Sequence, residues 1–75
     1  MLLREFAVEN HTISLMQEDE LYIAKVTNNN GEKILYHEYK DYEKIKSRFD
    51  EIVQAIETDN IGIKAVIGIL ERNPA

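Results

Sequence analysis

The first half of the chain alternates apolar and polar residues with a period of two, which is the pattern of half-buried β-strands. Near the N-terminus, for example, Phe6 and Val8 alternate with Ala7 and Glu9. The alternating runs that we predict as strands cover residues of about 3–9, 12–17, 21–28 and 32–40. Because only short polar segments separate these runs, the pattern predicts an antiparallel sheet of three or four strands joined by consecutive hairpins.

The first predicted hairpin turns at positions 10–11, where asparagine precedes histidine. A two-residue turn there places Phe6 opposite Leu15. The same register places Val8 opposite Ile13, so all four apolar side chains fall on one face. That agreement supports the hairpin, because a slip of one residue would send the apolar pairs to opposite faces.

Two further turns are predicted from composition. Residues 18–20 are three consecutive acidic side chains, which are typical of a solvated turn. Residues 28–31 read Asn-Asn-Asn-Gly, and Asn-Gly between two strand-like runs indicates a hairpin, since both residues accept positive φ. Whether Val26 faces Leu35 or Ile34 depends on a loop of two or three residues, and both registers stay open.

From residue 42 onward the apolar spacing changes to that of a helix, which we place at about residues 41–58. Its apolar stripe consists of Tyr42, Ile45, Phe49, Ile52, Val53 and Ile56. Asp41 precedes the stripe, where its carboxylate can accept hydrogen bonds from free backbone N–H groups. We therefore expect an amphipathic helix, capped by Asp41, that packs on one face of the sheet.

The apolar C-terminal element, at about residues 60–72, fits two patterns. Strict alternation of its isoleucines favours a strand, whereas Ile63, Val66 and Leu70 also form a helical stripe. The two glycines and the many β-branched residues favour the strand, and the short helix remains the alternative. The predicted fold class is thus α+β: a three- to four-stranded antiparallel sheet of consecutive hairpins, one amphipathic helix, and a C-terminal apolar strand or short helix in a single domain, 1–75.

Length and composition restrict the setting of this domain. A chain of 75 residues has a thin margin of stability, so we expect self-association to supply further buried area. Cysteine is absent, which excludes disulfides and favours the reducing cytoplasm. Met1 to Leu3 is followed at once by Arg4 and Glu5, so we expect no targeting segment. The longest apolar run, residues 61–70, is too short to span a bilayer, and we expect no membrane association.

The acidic balance argues against nucleic acid as a partner. Fourteen acidic and nine basic residues give a net charge of −5, and residues 1–32 are the most acidic part. Such a field repels phosphate backbones. Lys40, Lys44 and Arg48 could form a weak nucleic-acid-binding ridge, but acidic residues are interleaved with them. A salt-bridged helix surface is the better interpretation of that segment.

The chemically crowded stretch Tyr-His-Glu-Tyr-Lys-Asp-Tyr, residues 36–42, invites the idea of an active site. Strand alternation separates its groups, because Tyr36 and Glu38 face one way while His37 and Tyr39 face the other. Neither histidine of the chain has a partner at zinc-ligand spacing, and no glycine-framed nucleophile is present. We therefore expect no enzyme activity, no cofactor and no metal site.

These observations favour a small non-catalytic protein-interaction or regulatory module that binds another protein and forms a homodimer. A single helix leaves the other face of the sheet with Met16, Leu21 and Ile23 or their register alternatives, and dimerisation would cover them. The predicted interface residues are Ile61, Ile63, Ile67 and Ile69 in the tail and Glu18, Asp19 and Glu20 in the acidic turn. One alternative is an acidic nucleic-acid mimic that inhibits a basic protein, and another is the weak nucleic-acid binder.

Overall fold

A computed structural model describes residues 1–72, which form one four-stranded sheet and two helices. The elements in chain order are β1 (Leu2–Val8), β2 (His11–Glu18), β3 (Leu21–Thr27), β4 (Lys33–Tyr39), α1 (Tyr42–Asp59) and α2 (Ile63–Glu71). The strands are antiparallel and lie in the order β1-β2-β3-β4, so every connection is a hairpin. The predicted α+β fold is confirmed, with four strands and a short C-terminal helix.

The first hairpin has a different register from the predicted one. Its turn consists of Glu9 and Asn10, whose φ angles of 48° and 65° are both positive. Two consecutive residues with positive φ make the type I′ turn whose twist matches that of paired strands. Phe6 therefore lies opposite Ile13, and the predicted pairing with Leu15 is wrong. Because the error is two residues, the apolar side chains still share one face.

The third hairpin is longer than either predicted loop. Residues 28–32 connect the strands, and Val26 pairs with Leu35. Gly31 has a φ of 82°, which only glycine adopts without strain. The Asn28 side-chain oxygen accepts hydrogen bonds from the backbone N–H groups two and four residues further on, at 2.9 Å each. The asparagine thus organises the loop with its own side chain, as asparagines commonly do in turns.

The hydrophobic core lies between one face of the sheet and the two helices. It consists of Val8, Ile13, Leu15, Ala24, Val26, Leu35, Tyr39, Ile45, Phe49, Ile52, Val66 and Leu70. The predicted stripe of α1 supplies three of these residues, and the Phe6 ring meets the Phe49 ring edge-on at 6.1 Å. Asp41 accepts a hydrogen bond from the backbone N–H of Glu43 at 3.0 Å, so the predicted helix cap is confirmed.

The C-terminal element is a helix, and the strand that its β-branched residues and glycines favoured is wrong. Val66 and Leu70, one helical turn apart, are buried against the core. The first backbone N–H of α2, on Ile63, donates to Glu9 Oε1 at 2.6 Å, so the turn between β1 and β2 caps the helix. Tertiary packing and this distant cap outweigh a poor helix propensity, as packing commonly does.

Candidate protein-binding surfaces

The isoleucines that were predicted as an interface in the tail pack mainly against other parts of the same chain. Ile61, Ile63, Ile67 and Ile69 are half-buried and pack against the core cluster. Most of the apolar surface of helix α2 is therefore buried against the rest of the fold. Their role in binding a second chain stays a prediction, and the structure offers less exposed surface there than the sequence pattern suggested.

The predicted acidic residues lie at the turn between β2 and β3. Glu18 pairs with Leu21 at the ends of the two strands, and Asp19 has a positive φ of 55°. Asp19 and Glu20 line a surface depression together with Lys40, which follows β4. A lysine therefore lies beside the carboxylates, and this mixture of charges gives limited support to the idea of a nucleic-acid mimic.

The three basic residues of the predicted ridge are divided between two places. Lys40 lies beside the acidic turn, whereas Lys44 and Arg48 lie together on α1. Glu43 lines the same shallow depression as Lys44 and Arg48. Acidic side chains thus accompany the basic ones in three dimensions as they do in sequence, which disfavours phosphate binding.

The crowded stretch at residues 36–39 divides between two faces as predicted. The Tyr36 hydroxyl donates to Glu38 Oε2 at 3.3 Å, while the His37 and Tyr39 rings are 6.4 Å apart on the opposite, helix-bearing face. Partial desolvation, and then the charge of Glu38, raises the pKa of the Tyr36 phenol. Between residues 1 and 72, the His, Asp and Glu side chains form no cluster of three that could hold a metal ion.

The face of the sheet without helices carries a stripe of apolar side chains that crosses all four strands. We call this surface the open face and define its stripe as Leu2, Met16, Ile23, Ile34 and Tyr36. Leu2 pairs with Met16 and Met16 with Ile23, so the stripe begins as a row of cross-strand neighbours. Ile23 pairs with Glu38, and the stripe continues diagonally from Ile23 to Tyr36, since diagonal neighbours across strands remain within reach. Ile34 follows two residues from Tyr36 on the same face of β4.

Exposure varies along the open face. Ile23, at its centre, is only 4% exposed although it lies outside the core cluster between sheet and helices. Leu2, Ile34 and Tyr36 are 51%, 47% and 43% exposed. These three are among the most exposed large apolar side chains of the described residues, and they share one face.

Charged side chains of both signs surround the stripe. Glu5 and Lys25 flank Ser14 in the adjacent row, where the register aligns these three residues across the strands. On β4, the ammonium group of Lys33 lies 4.6 Å from the centroid of the Tyr36 ring. The open face thus combines an apolar centre with a polar rim, the composition typical of protein interfaces.

Sequence reasoning anticipated only part of this surface. It placed Met16 and Ile23 on the helix-free face but did not assign Leu2, Ile34 or Tyr36 to it. The signal was present in the alternation of β4, because residues that flank the buried Leu35 must point to the other side. It was obscured by the unsettled register of the loop before that strand.

Between residues 1 and 72, the structure contains no helix that is both long enough and apolar enough to cross a bilayer. Comparisons of the chain with protein families, with curated proteins and with solved structures found no match. The candidate surfaces therefore have to be interpreted from their own chemistry.

Proposed function

We propose that this chain is a small, non-catalytic protein-interaction module that forms a homodimer through the open face. The observation that carries the proposal is the shared placement of Leu2, Ile34 and Tyr36, three large and substantially exposed apolar side chains, on the one face that no helix covers. The absence of cysteine from the chain is consistent with a role in the cytoplasm, which is part of the proposal.

A second copy of the chain is the occupant that best fits this face. A two-fold axis parallel to the sheet would stack the apolar stripe of one copy on that of the other, as sheets stack in β-sandwiches. The rim carries glutamate and lysine together, so acidic and basic groups can meet across the axis without excess charge of one sign.

The size of the face indicates how strong such a dimer would be. Four strands spaced about 4.8 Å apart and seven residues long, at about 3.3 Å per residue, cover about 440 Å². A stable interface buries about 800 Å² per partner and seldom less than about 600 Å², so the open face falls below that range. We therefore expect a weak dimer that dissociates at micromolar concentrations.

Sedimentation equilibrium over a range of concentrations tests the proposal. The wild-type chain should change from monomer at low micromolar to dimer at high micromolar concentration. Ile34→Lys places a charge in the stripe and should abolish the dimer. Ala65→Lys is the matched control, because it adds the same charge at an exposed position of α2 and should leave the dimer intact.

Two results would overturn the proposal. A wild-type chain that stays monomeric at high micromolar concentration would exclude the homodimer. A dimer that Ile34→Lys leaves unchanged, while circular dichroism shows the variant to be folded, would place the interface elsewhere. The predicted isoleucines of α2 would then be the next surface to substitute.

A further inference from the structure

A second surface, distinct from the open face, lies where β1 forms the outer edge of the sheet beside α1. It is a cavity of about 490 Å³, which we call the edge groove. Its lining residues are Arg4, Glu5, Phe6, Ala7, Val53, Ile56 and Glu57. This volume lies within the range of about 300–1,000 Å³ found for ligand-binding sites.

The β1 side of the edge groove offers unpaired backbone groups. β1 has a neighbouring strand on one side only, because it is the first of four strands in the sheet. The two-residue type I′ turn after Val8 makes Val8 and His11 a hydrogen-bonded pair. Alternation along an antiparallel ladder then directs the N–H and C=O groups of Glu5 and Ala7 away from β2. The groove therefore contains two donors and two acceptors spaced to receive an added strand.

The floor and helix wall of the groove are apolar. Phe6 from β1 and Val53 and Ile56 from α1 are half-buried, so each has apolar surface left to cover. In a strand added to β1, the side chain opposite Phe6 would point to the helix-bearing face and contact this floor. The groove thus fits an extended segment with an apolar side chain at every second position.

The charges at the groove favour a basic partner. Arg4 donates to Asp50 at 2.8 Å and its guanidinium lies over the Phe49 ring at 5.9 Å, so its charge is partly neutralised by a carboxylate that it shares with Lys46. Glu5 and Glu57 are exposed at the rim. With a chain net charge of −5, the local and global fields both attract lysine and arginine.

We propose that the edge groove binds an extended, basic segment of another protein, in which apolar residues alternate with lysine or arginine. The segment adds a fifth strand beside β1. Its apolar side chains cover Phe6, Val53 and Ile56 on the helix-bearing side. Its basic side chains point to the other side of the sheet, where they approach Glu5. Main-chain hydrogen bonds give affinity and the alternating side chains give selectivity, the usual division in strand addition.

Titration of the ¹⁵N-labelled chain with a synthetic peptide that alternates lysine and valine tests this proposal. The Ile34→Lys variant is the host, so that dimer formation through the open face does not contribute. We expect amide shift changes confined to β1 and the second half of α1, around Ala7 and Ile56. A peptide of the same pattern with glutamate in place of lysine should bind about tenfold more weakly.

Two substitutions, each with a control, separate the contribution of backbone hydrogen bonds to peptide affinity from the contribution of charge. Ala7→Pro removes an N–H that points away from β2, and edge strands tolerate proline at such positions because the hydrogen bonds to the neighbouring strand are kept. It should weaken binding of the peptide about tenfold. Ala7→Thr keeps that N–H and is the matched control. Glu5→Lys should weaken binding of the lysine peptide about fivefold, whereas Glu20→Lys makes the same charge change away from the groove and should have little effect.

Peptide-induced shifts on the open face, or equal binding of the lysine and glutamate peptides, would overturn the proposal. Unchanged affinity in a folded Ala7→Pro variant would do so as well, because strand addition requires that edge. If the lysine peptide does not bind but the chain still dimerises in a way that Ala7→Pro disrupts, the edge instead pairs two copies of this chain. The open-face dimer is tested separately, by sedimentation of the wild-type chain and of Ile34→Lys without peptide.

Discussion

The Tyr39 hydroxyl donates a hydrogen bond to the backbone carbonyl of Leu70 at 3.1 Å, linking the end of β4 to the last turn of α2. That carbonyl is one of the last four of the helix, which have no partner within the helix. Tyr39 is only 8% exposed, so the contact is made in a largely dry environment. It fixes the C-terminal helix on the sheet at the end opposite to its Glu9 cap.

Tyr39→Phe should destabilise the fold by about 1 kcal/mol, because the ring remains and only the hydrogen bond to a buried carbonyl is lost. Urea unfolding followed by circular dichroism measures the change. Tyr42→Phe is the control, since the Tyr42 ring packs against Tyr22 at 5.1 Å and its side chain is partly exposed. We expect Tyr42→Phe to stay within about 0.5 kcal/mol of the wild type. Equal losses in the two variants would contradict the role given to the Tyr39 hydroxyl.

The same tyrosine predicts a loss of stability in alkali. Burial raises the pKa of the Tyr39 phenol, and the nearby Arg48 opposes the rise only in part. A group whose folded pKa is raised contributes stability that is complete below its unfolded pKa, about 10, and is lost as pH rises through the folded value. Unfolding free energies measured across this range should fall less steeply in Tyr39→Phe than in the wild type. An identical dependence on pH in the two chains would exclude a contribution of the Tyr39 phenol to the loss of stability in alkali.

At the acid end, Asp50 is the predicted source of pH dependence. Hydrogen bonds from Arg4 and then Lys46 lower the pKa of its carboxyl group. A lowered folded pKa gives stability that is present above the unfolded pKa, about 4, and lost as pH falls through the folded value. Asp50→Asn should therefore flatten the acid side of the stability curve. An acid slope in Asp50→Asn identical to that of the wild type would exclude Asp50 as the source of this pH dependence.

The sheet and α1 could be predicted from sequence because their signals are local. Strand alternation, the stripe that begins at Tyr42 and the Asp41 cap all depend on residues within one or two turns of the chain. The first turn was misplaced by one residue because glutamate is an unusual choice for positive φ, and Glu9 adopts it here. Asn10 is a common turn residue and was correctly placed in the turn, but nothing in the sequence marked Glu9 as its partner.

The choice between strand and helix for the C-terminal element could not be settled from the sequence, and the binding surfaces could be predicted only in part, because both depend on distant residues. The cap of α2 comes from Glu9, 54 residues earlier in the chain, and no local pattern indicates it. The edge groove arises from the position of α1 beside β1, which the sequence order of the elements leaves undetermined. The open face could be anticipated in outline, since one helix cannot cover both faces of a sheet.

Two glycines of the C-terminal helix, Gly62 at its N-cap and Gly68 in its interior, predict opposite effects of substitution by alanine. A Cβ on Gly62 would clash with Glu9 Oε1, so Gly62→Ala must displace the carboxylate that caps α2. Loss of that cap, and alanine at a position where it caps poorly, should cost about 1 kcal/mol. A Cβ on Gly68 meets nothing within 4 Å in the helix interior, so Gly68→Ala should stabilise the fold by about 0.5–1 kcal/mol.

The paired variants are compared by urea unfolding, with Glu9→Gln as a third chain that keeps the acceptor but removes the charge. If the cap acts through its hydrogen bond to the Ile63 N–H, Glu9→Gln should retain most of the stability that Gly62→Ala loses. Should Gly62→Ala prove neutral while Gly68→Ala stabilises, the Glu9 side chain holds α2 only weakly. The helix would then depend on the burial of Val66 and Leu70, and Leu70→Ala, at about 2–5 kcal/mol, would be the more damaging change.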